Sequence, residues 1–221
     1  MTSNRRILHS SFVRYGALPL GLIVLVVVLR LFFFLPFRVM TSAQSPDPRL
    51  GAWALARRSH SPKHGDIVLF RLPSPRGHTL EFLHLGRIVA LPGDSIELRA
   101  GRLVVNEEEV RDYRQEINPS ESYALRLPRE GGVYPITSTN LVAYRSALLE
   151  EQKLYPSAPD EVALEGTDPK HWLKALAKNP YHTFRRDYYW VLTDQTQAAP
   201  DSRHLGILPA DAILGIVLFS L

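Results

Sequence analysis

Residues 16–37 hold 22 consecutive positions with one charge, Arg30, and most of the stretch reads LGLIVLVVVLRLFFFLPF. As a helix it would reach ~33 Å, enough to cross the hydrocarbon core of a bilayer. Arg5, Arg6 and Arg14 precede it and no acidic residue or lysine occurs before position 41. The positive-inside bias then places residues 1–15 in the cytoplasm and everything after position 37 across the membrane. No later segment is long and apolar enough to return. A cleaved leader with 41–43 (Thr41, Ser42, Ala43) as its small-residue site is the rival reading, but its apolar region would far exceed the usual ~7–15 residues and carry an arginine. Arg30 either snorkels toward the outer headgroups near Arg38 or meets an acidic group on a partner helix.

This segment also explains the charge of the chain. The net charge is +4 over 221 residues, and the five arginines of residues 1–40 exceed it, so residues 41–221 carry −1. No basic patch calls for nucleic acid. The chain has no cysteine, which excludes disulfides, thiolate zinc sites and cysteine nucleophiles together. Its eight histidines show no metal-ligand spacing, and no glycine-rich phosphate loop is present, so neither metal nor cofactor is expected.

Beyond the apolar stretch, residues 41–65 read as an extended entry segment rich in Pro, Ser, Arg and Ala. Strands are expected at 66–71 and 82–91, the second closed by the turn Pro92-Gly93-Asp94. A hairpin follows at 95–98 and 103–105, with a further turn at Asn106-Glu107. Residues 111–183 carry two helix candidates. One spans 137–152, with Leu141, Tyr144 and Leu148 at helical spacing. The other opens at Asp168-Pro169, buries Trp172, Leu173 and Leu176, and turns a stripe of Lys170, Lys174 and Lys178 to solvent. Strands return at 188–192 and 213–221. The expected class is mainly β with an α-containing insertion, divided as 1–15 cytoplasmic, 16–37 membrane anchor, 38–110 and 184–221 β core, and 111–183 inserted α/β subdomain.

Three segments together resemble bacterial type I signal peptidases, membrane-anchored serine proteases that remove signal peptides. They are FRVMTSAQSPDPRLG at 37–51, PKHGDIVLFRLP at 62–73 with GRIVALPGDSIEL at 86–98 and GRLVVN at 101–106, and DYYWVLTDQTQAAPDSRHLGILPADAILG at 187–215. LPREGGVYPITSTNLVAYRSALLEEQ at 127–152 is similar to the inserted domain of some members. The resemblance implies a periplasmic β domain carrying a Ser/Lys dyad, in which a lysine kept neutral by burial takes the proton of an attacking serine. Carried over by position, the nucleophile falls on Ala43, the lysine on Gly86, the following methionine on Gln44 and the lysine-orienting serine on Ala199. The Asn-Arg of the last box falls on Gln195-Thr196. An oxyanion-donor serine falls on Thr41, which keeps a hydroxyl. Pro92, Gly93, Asp94, Asp201, Ser202, Arg203 and Gly206 match the pattern.

Turn and scaffold positions are thus kept, while nucleophile, base and orienting hydroxyl are replaced by Ala or Gly. The expectation is a single-pass protein of the bacterial inner membrane, a pseudoenzyme whose cleft binds exported preproteins or signal peptides, or which associates with an active paralogue or an envelope protein. The alternative is an active serine endopeptidase with a rearranged dyad, Ser42 or Ser45 with His84, the latter lying two residues before Gly86 and so on the same strand face. Lys63 and His64 read as a solvated turn before Gly65 rather than as a base.

Overall fold

In a computed structural model, residues 18–40, 44, 48–59, 61–72, 82–99, 102–110, 123–155, 172, 174, 177, 179–194 and 200–220 are described. The elements are α1 (Leu18–Phe32), β1 (Phe34–Arg38), β2 (Trp53–Arg57), β3 (Ile67–Leu72), β4 (Phe82–Ala90), β5 (Ser95–Arg99), β6 (Arg102–Val105), β7 (Glu108–Glu109), β8 (Tyr123–Arg126) and β9 (Val133–Pro135). There follow α2 (Leu141–Leu154), β10 (Tyr181–Thr183), β11 (Tyr188–Leu192), α3 (Ser202–Leu205), β12 (Leu208–Pro209), a 3₁₀ turn at Ala210–Ala212, and β13 (Ile213–Ser220).

The apolar stretch departs from the expected single helix over 16–37. α1 has 15 residues, a length of ~22 Å, and among the described residues no helix is long and apolar enough to cross a membrane. Its last expected turn is a strand instead. Phe33 N–H closes the helix on Leu29 O, and β1 then pairs antiparallel with β2 from Phe34↔Arg57 to Arg38↔Trp53. Pro36 supplies the reason, since it has no amide hydrogen to continue a helix and its ring clashes with the preceding turn. The aromatic residues before it favour a pleated surface. None of the residues of α1 is buried by the rest of the chain.

Residues 41–65, expected as an extended entry, hold a strand that the sequence did not single out. This strand, β2, buries Ala54 and Ala56 between β1 and β13. The seven-stranded sheet runs β1-β2-β13-β3-β4-β11-β12. Strands occur as expected at 67–72, 82–90, 95–99 and 102–105. β5 and β6 pair from Ile96↔Val105 to Arg99↔Arg102, within a four-stranded sheet ordered β7-β6-β5-β8. Asn106 and Glu107 both take positive φ, 50° and 70°, as a two-residue turn between twisted strands requires. The Asn106 carboxamide reinforces the turn by accepting from Ser95 N–H at 3.0 Å.

α2 begins at Leu141 rather than 137, because the Asn140 side chain is turned back onto Thr137 N–H (2.8 Å) and Pro135 O (2.9 Å). Of the helix expected from Asp168, Trp172, buried, and Lys174 and Ala177, exposed, fall within the described residues. One core cluster joins β5, β6 and β8 to α2, Trp172, Phe184, Tyr188 and Trp190. Phe184 sits edge-on to Tyr134, Tyr144, His182 and Tyr188, contacts worth ~0.5–1.5 kcal/mol for each aromatic pair beyond burial. A second cluster covers one face of β3, β4, β11 and β13 through Val68, Phe70, Ile88, Val191 and Ile213.

Candidate functional site

The site of interest is built on β4, which is held between β3 and β11. Its register sets Gly86 opposite Val68 and His84 opposite Phe70, while Ile88 faces Val191 and Arg87 faces Leu192. Alternation along the strand puts His84, Gly86 and Ile88 on the face of the second core cluster and Arg87 on the other. Gly86 is buried, and a Cβ added to it would lie 2.3 Å from Val191 Cγ1 and 3.1 Å from Phe70 Cε1. The room in which a longer side chain at position 86 would start is therefore taken up by Val191.

Two polar side chains lie beside it. His84 is half-buried with its ring 5.7 Å from that of Phe70, and burial lowers its pKa from the ordinary imidazole value. Gln44 is wholly buried and donates through Nε2 to Leu192 O at 3.4 Å. Leu192 O is also 3.4 Å from the Cβ position of Gly86. Thr41, Ser42, Ala43, Ser45, Gln195, Thr196 and Ala199 lie outside the described residues.

On the opposite face the Arg87 guanidinium meets Asp194, with Nη2 3.0 Å from Oδ2, and donates to Gly65 O at 3.0 Å. Sequence reasoning passed over this pair. Arg87 and Asp194 are 107 residues apart, and only the β4–β11 ladder brings them together.

The retained motif residues support this strand set. Gly93 takes φ 91° and its N–H reaches Leu127 O at 2.8 Å. Asp94 accepts from Leu91 N–H (2.7 Å) and Asn106 Nδ2 (2.8 Å) and lies 2.7 Å from His64 Nε2. Partial burial alone would raise its pKa; the bonds from Asn106, Leu91 and His64 outweigh that and hold it below the ordinary carboxylate value. His64 occupies an exposed turn, and Lys63 N–H bonds Asp66 Oδ2 at 2.8 Å.

Asp201 and Ser202 complete the outer edge of β11. Ser202 Oγ accepts from Val191 N–H at 2.9 Å, and Asp201 Oδ2 accepts from Thr193 N–H and Oγ1, both at 3.1 Å. Side chains thus stand where a neighbouring strand would be, and Ser202 fixes the backbone of the residue that fills the space over Gly86. Asp201 is fully buried and paired with Arg203, whose Nε lies 3.0 Å from Oδ1. Burial would raise its pKa, but Arg203 and the Thr193 N–H outweigh it and lower the carboxyl below its ordinary value. Gly206 takes φ 82°, and a Cβ there would stand 2.2 Å from Ala143 O, where α2 crosses. Among the described residues no three His, Asp or Glu side chains gather as metal ligands would.

Comparison with known proteins gives the context for this geometry. The family model described as "Signal peptidase, peptidase S26" matches residues 12–221. A "Signal peptidase I" from Buchnera aphidicola is 21% identical over 230 residues, covering 90% of this chain and 73% of its own. Another from Pseudomonas fluorescens is 23% identical over 230 residues, covering 92% and 70%. "Signal peptidase I P" of Bacillus subtilis subsp. natto is 24% identical over 131 residues, covering 58% and 68%. The crystal structure of a signal peptidase I from Enterococcus faecalis aligns with 72% of this chain and 97% of its own, at 19% identity and a TM-score of 0.32.

Proposed function

The chain belongs to the signal peptidase family S26, and from that premise we propose that it is a member without peptide-bond chemistry, which binds exported polypeptide segments. The observation that carries this reading is Gly86. It stands where the resemblance places the lysine base, and Val191 Cγ1 lies 2.3 Å from where any side chain there would begin. A lysine would need the strand contacts of β4 and β11 rebuilt before its amine could reach a nucleophile, and position 43 offers no hydroxyl to receive it. The retained Asp94, Asp201, Ser202, Arg203 and Gly206 serve turns, strand edges and packing, roles that a binding scaffold needs as much as an enzyme.

In this reading α1 lies in the inner membrane, with residues 1–15 cytoplasmic and the β domain, from β1 onward, periplasmic. α1, uncovered by the rest of the chain, supports that placement, with β1 and β2 meeting the membrane surface beside it. The partners are preproteins or signal peptides in extended form, which pair with a strand edge, or else an active paralogue or an envelope protein.

One observation favours a second reading, an active endopeptidase using Ser42 or Ser45. His84 is held uncharged by burial, and its Nδ1 has no hydrogen-bond partner among the described residues, as a general base awaiting a hydroxyl would be. Incubation of the full chain in detergent with a preprotein separates the two. The binding reading expects no product on a sensitive gel and saturable heat of binding for an Ala-x-Ala peptide in calorimetric titration. Product formation abolished by Ser42→Ala, Ser45→Ala or His84→Ala would establish the enzyme instead.

A further inference from the structure

Gly86 is flanked by two buried polar atoms without hydrogen-bond partners among the described residues, Gln44 Oε1 and His84 Nδ1. The orientation of Gln44 follows from its neighbour: Leu192 O can only accept, so the amide nitrogen faces it and the oxygen faces away. Such atoms destabilise a folded chain, and an apolar side chain at either position would avoid the cost. Violations of this kind gather at functional sites. Their placement is coherent, because Gln44 contacts the same Leu192 carbonyl that borders Gly86, and His84 shares the Gly86 face of β4.

We propose that Gln44 and His84 form a polar subsite for a neutral hydrogen-bonding side chain, a carboxamide or hydroxyl, on an extended peptide. The proposal rests on the peptide-binding reading and adds a side-chain preference to it. A neutral group is favoured because Phe70 and Val191 make the neighbouring surface apolar and Arg87 on β4 faces away, engaged with Asp194. Burial keeps the His84 ring uncharged at neutral pH, in keeping with a neutral ligand. A carboxamide both donates and accepts, so it can pair with Gln44 Oε1 or with either tautomer of His84. The His84 ring is half-exposed while Gln44 Oε1 and His84 Nδ1 are buried, so an incoming side chain must shift the ring to reach them.

Two labelled peptides test this by fluorescence anisotropy on the full chain in detergent, one ending its recognition segment in Ala-x-Ala and the other in Ala-x-Asn. The Asn peptide is expected to bind ~10-fold more tightly, the gain of about one well-buried hydrogen bond. The pair Gln44→Met and His84→Phe is expected to abolish the preference and to raise the melting temperature. Equal binding of both peptides by the wild-type chain, or tighter binding of the Ala peptide, overturns the subsite and leaves peptide binding standing. So does a lower melting temperature in the double variant, which would mean that both atoms have structural partners. Binding of neither peptide overturns the peptide-binding reading, and the subsite with it.

Discussion

Replacing Gly86 with alanine and Val191 with alanine, singly and together, measures whether one side chain has taken the room of another. Gly86→Ala places a methyl 2.3 Å from Val191 Cγ1. Val191 cannot turn aside easily, being β-branched, buried and in a strand whose N–H is fixed by Ser202. Overpacking of this size costs ~1–3 kcal/mol, and the loss of glycine's freedom in the unfolded chain returns ~0.4–1 kcal/mol. The expected net is ~0–2.6 kcal/mol of destabilisation, from the difference of those two ranges.

Val191→Ala alone removes two buried methyl groups and leaves a gap, a loss of ~1.5–3 kcal/mol. In the double variant the new methyl enters the space that Cγ1 vacates. Its cost then falls below the sum of the single costs by ~1–3 kcal/mol, within the range of coupling between touching residues. For a chain of this length ~1 kcal/mol shifts the melting temperature by ~2–4 °C, so the coupling appears as several degrees in thermal scans in detergent. Additivity within ~0.5 kcal/mol would refute the argument that Val191 fills the lysine's place, and with it the main support for lost catalysis.

Two further expectations concern buried carboxylates. The Asp201 carboxyl has its folded pKa lowered relative to the unfolded chain, so its stabilisation is present above the ordinary value of ~4 and lost as pH falls through the folded one. Melting temperatures between pH 3 and 6 should therefore fall more steeply for the wild type than for Asp201→Asn, which at pH 7 starts ~1.5–3 kcal/mol lower; parallel curves would contradict this. Glu151, wholly buried in α2, accepts from Tyr188 OH (2.8 Å) and Arg185 N–H (3.0 Å) and lies 3.0 Å from His182 Nε2. Glu151→Ala leaves these groups facing an apolar gap and should cost ~3–5 kcal/mol, with Glu151→Gln much milder by thermal melting.

Local signals in the sequence carried the turns and the longer strands. Gly93 and Asn106 mark chain reversals because Gly and Asn accept positive φ more readily than other residues, and β4 is a long apolar run closed by Pro92-Gly93-Asp94. The segment WALAR was illegible as β2: it has two alanines and no β-branched residue, and is a strand because β1 and β13 pair with it on both sides. Periodicity alone could not divide residues 16–37 between helix and strand, since an apolar run reads the same in either state. Within the site, motif comparison found the substitution at Gly86 but not its neighbour. That Val191 rather than solvent faces Gly86 depends on the β4–β11 register, which bulges between Trp190 and Val191. The burial of Gln44 was equally hidden, because a glutamine on a polar segment is ordinarily left to solvent.

The position of β13 in the seven-stranded sheet bears on how the domain assembles. It lies between β2 and β3, with Ile213 opposite Phe70 and Ile216 opposite Arg57. A chain delivered from its N-terminus therefore exposes the facing edges of β2 and β3 through the whole emergence of 73–212, with nothing to pair between them. Closure waits on contacts distant in sequence, a topology that folds slowly and leaves open strand edges prone to pairing with other chains. The sheet becomes whole only when residues 213–220, the last of its strands in the chain, slot into the middle.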